Sequence, residues 1–384
     1  MTRPTFALAL VVALAAQLLN ADLAVSAGRR FSELVKEPRL ERSRECHGNE
    51  PASPSAPVGD VLFPRPQIVL NAHQGPARDA AFNSDGTMLV SGGDDGIAKV
   101  WMVGGNGAPL ELRHRTAVNS VTFSPAGTRV ATASGDGVSV WDLSVLPARQ
   151  MLFPSDLPVS SVAFSADGFR LASAGRDGIA RVWRIDGKAP SVQFRAAKSL
   201  TSVAFSPEIE SSRLIAGSND GTALVWPSDG TAEPIVLKGH DGPVRHVAFN
   251  ADGTRAVTAG DNYIRVWRLD GSAKPQSFAL YGHAGLVLSA AFGPAPTELF
   301  PAPIDKATAT RVAKSTHWPG LPADVASAGE DGIVCVWTWD GGPPFGLEHP
   351  FRGVNSVSFS LDGTRVVTSG SNGQVIIWGM VRPQ

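Results

Sequence analysis

The feature that most constrains this chain is a tryptophan with a fixed return interval. Trp101, Trp141, Trp183, Trp226, Trp267, Trp337 and Trp378 follow one another at 40, 42, 43, 41, 70 and 41 residues. Repeats of this length mean that one supersecondary unit is copied and stacked, because no single copy can bury its own apolar face. A phenylalanine column has the same rhythm: Phe82, Phe123, Phe164, Phe205, Phe249, Phe292 and Phe359. The residue before each is small, from Ala81 to Ser358, and two before stands Ala or Val. Fixed roles at alternate positions describe a strand.

Each Phe leads into a turn such as "NSDGT", "SADGF" or "SLDGT", then a second apolar strand. A hairpin such as "SGGDDGIAKVW" (91–101), "SAGRDGIARVW" (173–183) or "SAGEDGIVCVW" (327–337) follows and ends on the Trp. Asp-Gly pairs supply the positive φ of tight turns. Each unit is therefore a small antiparallel sheet, and seven of them side by side in a ring cover each other's faces. The fold expected is all-β: a seven-bladed β-propeller of four-stranded antiparallel blades. Only "GMVRPQ" follows Trp378, too little for an outer strand, whereas "RPQIVLNA" (65–72) precedes the first unit without a blade of its own. It is expected to complete the seventh blade and close the ring, which removes free edges.

These residues resemble the WD-repeat β-propeller family over about 66–384. That family's phrase is Gly-His, a spacer, Ser/Thr-Gly-x-x-Asp, then Trp-Asp. Gly239-His240 and Gly282-His283 keep the first pair, and Trp141-Asp142 keeps the last. His73 and His114 hold the same offset without the glycine. Ser155 and Ala196 replace the histidine in units three and four, and His349 stands one residue out of place. The resemblance implies a buried hydrogen-bonded chain in each complete blade. Its members here would be His73, Ser91, Asp95 and Trp101; His114, Thr132, Asp136 and Trp141; His240, Thr258, Asp261 and Trp267; and His283, Ser327, Asp331 and Trp337. Units two and five are one residue shorter before the Trp, so their Asp is less well placed, and unit seven has Asn372 instead.

A His–Ser–Asp set invites a hydrolase reading, but catalytic triads occur once and this set recurs in four blades. No His-x-Glu-x-x-His, cysteine pair or calcium loop is present. The expectation is a non-enzymatic protein–protein interaction platform with no catalytic residue, metal or cofactor. The rivals are a propeller enzyme of the lactonase or quinone-dependent dehydrogenase type, and a sensor fragment of a larger cytosolic signalling protein. Lys plus Arg is 34 against 35 Asp plus Glu, which gives no reason to expect nucleic acid. Two cysteines exclude a disulfide framework.

Partner contacts are sought where the repeat leaves residues free. Four before the Phe, the column reads Arg78, Asn119, Ser160, Thr201, Arg245, Leu288 and Asn355. Arg78 and Arg245, with Arg115 and Arg352 in the preceding loops, are candidates, since Arg is common at binding hot spots. An insertion at 293–322 replaces a five-residue turn of unit six and carries Phe300 and Trp318. Loops of that length tend to be functional or unstructured, which makes Trp318 a further candidate.

The N-terminus differs in kind. Phe6–Leu19 is an apolar run too short for a membrane span, and Val25-Ser26-Ala27 offers small residues for cleavage. Residues 1–27 read as a secretory signal peptide, 28–64 as a disordered linker and 65–384 as the propeller. On that reading the protein is exported, periplasmic or secreted, as a monomeric ring with an unnamed protein partner and no membrane insertion after cleavage. The alternatives are an uncleaved membrane anchor and a cytoplasmic chain.

Overall fold

The computed structural model describes residues 66–105, 107–187, 191–269, 275–294, 325–337 and 345–380. The signal-peptide and linker readings, most of the insertion, Phe300 and Trp318 lie outside them. The described residues form seven four-stranded antiparallel sheets and no helix.

Blade 1 runs outward through Ala77–Phe82, Met88–Gly93, Ile97–Met102 and Leu110–Arg113. Blades 2 to 6 repeat that order. Blade 7 takes its first three strands from Val354–Phe359, Arg365–Gly370 and Gln374–Gly379. Its outer strand is Pro66–Asn71, paired antiparallel with Val69 opposite Ile376. The first described strand thus closes the ring on the last.

The apolar columns bury between blades rather than within them. Val90, Ala98, Val100 and Leu112 of blade 1 pack on Val118, Val121, Phe123 and Trp141 of blade 2. Ala77, Ala80 and Leu89 pack on Val367, Val375 and Ile377 of blade 7 in the same way, across the closure. Each sheet thereby hides both faces, which a lone blade could not do.

Two polar belts add to these cores. The first uses the residue three before each Phe. Its side chain accepts the backbone N–H two before the Phe in the next blade. Asp79 takes Val121 (3.0 Å), Ser120 takes Val162 (3.5 Å), Ser161 takes Val203 (3.2 Å) and Ser202 takes Val247 (3.2 Å). His246 Nδ1 takes Ala290 (3.4 Å), Ser289 takes Val357 (3.3 Å) and Ser356 takes Ala80 (3.1 Å). The belt is continuous through all seven blades. It satisfies N–H groups of the inner strands that no ladder can reach.

The second belt lies at the other end of those strands. The guanidinium of Arg170 sits 5.6 Å from the ring centre of Phe205, Arg213 5.4 Å from Phe249, and Arg365 5.3 Å from Phe82. Each pair joins one blade to the next, and the last joins blade 7 to blade 1. Such contacts contribute roughly 0.5–2 kcal/mol according to burial.

Every inner strand also carries a bulge after its first residue, as between Ala77 and Asp79 or between Val244 and His246. The bulged residue is the one four before the Phe. A bulge turns its side chain away from the ladder, here toward the axial mouth where the inner strands begin.

The axial mouth and the blade tetrads

The sequence assigns most of its histidines and aspartates to the blades, and three blades assemble the set in full. In blade 1, His73 Nε2 lies 2.8 Å from Ser91 Oγ, and Nδ1 lies 3.0 Å from Asp95. Trp101 Nε1 donates to the same Ser91 Oγ at 3.1 Å. A carboxylate only accepts, so Nδ1 carries the proton and Nε2 accepts from the serine hydroxyl, which in turn accepts from the indole. Every polar atom of that line is satisfied with a neutral imidazole. Burial lowers the His73 pKa against the pull of Asp95, in keeping with that form.

Blade 6 repeats the geometry: His283 to Ser327 at 2.8 Å, to Asp331 at 3.0 Å, and Trp337 to Ser327 at 3.2 Å. Burial would raise the Asp331 pKa, but His283 and two backbone N–H groups hold it below the usual carboxylate range. Blade 5 matches too, with Thr258 between His240 (2.8 Å) and Trp267 (2.9 Å). Its short turn forces Asp261 to φ 48°, and the carboxylate still reaches His240 at 3.3 Å.

Blade 2 corrects the expectation for His114. Trp141 donates to Thr132 at 3.2 Å, but His114 Nε2 is buried with no hydrogen-bond partner. Asp136 turns outward to Arg115, at 3.0 Å, instead. That hydrogen bond holds the Asp136 pKa below its ordinary value. The His114 ring meets the Trp141 ring edge-on at 5.5 Å. In blade 7 both nitrogens of His349 lack partners and burial lowers its pKa to about 4, while Trp378 still finds Thr368 at 3.0 Å.

With those groups assigned to structure, the mouth remains. A cavity of about 430 Å³ opens there, lined by Pro76, Arg78, Asp94, Asn119, Ser160, Arg176, Asn355 and Ser371. Four of the eight are bulged residues, and three more sit at the hairpin tips of blades 1, 3 and 7. Asn119 Nδ2 and Asn355 Nδ2 donate to Val159 and Ala77 carbonyls of the next blade, both at 2.8 Å. Their column is therefore partly structural, not wholly free. Arg78 donates through Nε to Asp94 and through Nη1 to Asn119 Oδ1 at 3.1 Å.

The structure separates the sequence candidates. Arg78 lines the cavity. Arg245 holds the same bulged position in blade 5, outside the lining, with its Nε buried and unpartnered. Arg115 is bound to Asp136, with its side chain 87% exposed, and Arg352 is exposed in its loop; neither lines the cavity. Trp318 lies outside the described residues. Arg176 was missed. It occupies the hairpin position held by Asp94 in blade 1, and aligning the hairpins would have found it.

Seven blades closed into a ring, three of them carrying the full tetrad, define a WD-repeat propeller. The family model described as "WD domain, G-beta repeat" matches residues 64–102, 110–142, 149–184, 233–268 and 345–379, and the chain belongs to that family. The unmatched blades are 4, which has Ala196 and Ala216 at the His and Ser positions, and 6, which carries the insertion. Among curated relatives, the chain is 32% identical over 117 residues to Ribosome biogenesis protein ERB1 of Coccidioides immitis, covering 29% of this chain and 14% of that protein. It is 32% identical over 94 residues to Cilia- and flagella-associated protein 52 of Sus scrofa, covering 23% and 15%. It is 36% identical over 70 residues to a probable cytosolic iron-sulfur protein assembly protein CIAO1 homolog of Schistosoma japonicum, covering 17% and 20%. The chain thus spans a fifth or less of the length of these relatives.

These names correct the export expectation. Ribosome biogenesis, cytosolic iron–sulfur assembly and cilia are intracellular settings, and none of the three relatives is a periplasmic or secreted protein by name. Among the described residues no helix is long and apolar enough to cross a membrane.

Proposed function

We propose that this chain is a non-enzymatic scaffold that works inside the cell and receives a protein partner at its axial mouth. The observation that carries the reading is the contrast between the two sets of polar groups. In blades 1, 5 and 6 the His, Ser or Thr, and Asp residues that resemble catalytic sets point into the blade and bond to each other. The groups that face solvent together are the arginines, asparagines and serines around the mouth. Such a surface is suited to recognition, and a rigid closed ring holds it in place.

The relatives favour a propeller serving a larger cytosolic assembly over an exported one, since their names speak of biogenesis and assembly. Residues 65–384 are the unit we assign to this role.

Cross-linking in the native host tests it. Tagged full-length protein is cross-linked in living cells, and the linked peptides are identified by mass spectrometry. Partner cross-links concentrated at the hairpin tips and bulges of blades 1, 2, 3 and 7 are expected. Cross-links confined to the outer strands, or a purified chain that turns over a small molecule, would overturn the reading.

A further inference from the structure

We infer that the mouth selects an acidic peptide segment, gripped through a carboxylate by Arg176 with Arg78 beside it. This rests on the scaffold reading above and names the chemistry of its partner.

The argument begins with which donors around the cavity are already engaged. Asn119 and Asn355 bond carbonyls of neighbouring blades. Ser371 Oγ donates to Asn355 Oδ1 at 3.1 Å. Arg78 has Nε and Nη1 engaged and Nη2 left over. Arg176 differs from all of these. It is exposed at the blade 3 hairpin tip, and its guanidinium makes no ion pair or hydrogen bond among the described residues. Its sequence neighbour Asp177 cannot neutralise it, because that carboxylate holds Arg181 at 2.6 Å and Ile179 N at 3.1 Å. Five N–H donors in a planar fork therefore face the cavity unengaged.

Charge then decides the ligand. The lining holds Arg78, Arg176 and one carboxylate, Asp94. Asp94 is already paired with Arg78, so one positive charge is uncompensated. A monoanion suits that balance, and a guanidinium fork matches a carboxylate in bidentate geometry. A phosphate dianion suits it less well. It would need a second free cation, and the Asp94 carboxylate stands in the same cavity to repel it. The cavity volume, about 430 Å³, suits a few side chains of an extended segment and is too small for a folded element. Asp or Glu side chains, spaced along such a segment, are the occupants that fit.

The test uses a phage-displayed random dodecapeptide library panned against the full-length protein, with and without Arg176→Gln. Sequences enriched on the wild type are made as free fluorescent peptides and titrated by anisotropy. Winners rich in Asp and Glu are expected. Their affinity should fall about tenfold or more in Arg176→Gln and in Arg78→Gln, as for a lost charge-assisted bidentate bond. Arg115→Gln, outside the cavity, should leave it unchanged, and replacing the acidic residues by Asn or Gln should abolish binding. Circular dichroism melts of each variant show that the fold is intact. No winners, neutral or basic winners, or equal binding to Arg176→Gln would overturn the inference. So would phosphoserine substitutions that tighten binding more than about tenfold, which would reassign the mouth to phosphate. The scaffold reading stands or falls separately, on where the cellular cross-links lie.

Discussion

The backbone N–H of Ala80 donates to Oγ of Ser356, 3.1 Å away and 276 positions later in the chain. It is the link at which the inner belt crosses the closure, and it has the same form as the link between Ser161 and Val203 within the ring. Closure is therefore held by the same interaction as every other blade junction, together with the paired strands and the Arg365–Phe82 contact.

Removing the belt hydroxyl of Ser202 or Ser289 takes the partner from the buried N–H of Val247 or Val357. Ser202→Ala and Ser289→Ala should each lower stability by about 1–3 kcal/mol. Urea unfolding at pH 7 measures this, and a loss near zero for both would mean that the belt carries no stability.

Blade 1 breaks the serine rule with Asp79. Burial raises its pKa, against the hydrogen bonds it accepts from Val121, Ser120, Ala80 and Ser356. A carboxyl whose folded pKa lies above its unfolded value costs nothing below the unfolded pKa, and its cost grows as pH rises through the folded one. Asp79→Ser is therefore expected to raise the melting temperature at pH 7 and to lose that advantage toward pH 3. Thermal melts across that range check the sign.

His246 and His349 act in the opposite sense. Burial lowers each to about 4 from the ordinary 6.5. A histidine depressed in this way contributes stability that is present above pH 6.5 and lost as pH falls toward 4. Acid melts should steepen in that window, and His246→Ser, which keeps an acceptor in the belt, should flatten part of the slope. His349→Leu should flatten another part and raise stability at neutral pH, since both its ring nitrogens lack partners.

The tetrads allow an internal comparison between two serine-to-alanine changes. Ser91 serves both His73 and Trp101, whereas Ser173 in blade 3 serves Trp183, at 2.9 Å, with no histidine above it. Ser91→Ala leaves two buried ring nitrogens unsatisfied and Ser173→Ala leaves one. With each such group costing about 1–3 kcal/mol, Ser91→Ala should destabilise by roughly twice as much. Equal losses in denaturant titrations would show that the histidine bond adds nothing.

Much of the ring was legible because stacking imposes the same demands on each unit. The Trp and Phe columns mark positions packed between blades, so their period gave the number of blades, and the missing outer strand pointed to residues 65–72. The belt was written in an equally regular column, Asp79 to Ser356, yet it passed unread. A serine in a strand carries no burial signal, and its partner sits on the following blade, where no local pattern indicates it. The tetrads show how far spacing reaches. Blades 2 and 5 share the shortened turn, and in both the Asp accepts the N–H of the residue after the His, from Arg115 at 3.3 Å and from Asp241 at 3.1 Å; in blade 2 the Arg115 guanidinium takes the carboxylate as well, at 3.0 Å. One neighbouring side chain decides the outcome. Arg176 was hidden for a different reason: its hairpin column mixes Asp94, Asn219, Glu330 and Ser371, and only the assembled ring shows which of them share a cavity.

The pairing of Val69 with Ile376 also sets a schedule for biosynthesis. One partner leaves the ribosome early and waits for the other. At about 5–20 residues per second, the wait across those positions is on the order of tens of seconds. Throughout it, the first strand is an unclaimed edge, open to chaperones or to a neighbouring nascent chain. A message cut short anywhere before the last repeat yields a chain whose leading strand never finds its seat. The ring thus stays open until its final repeat has been made, however early its other blades form.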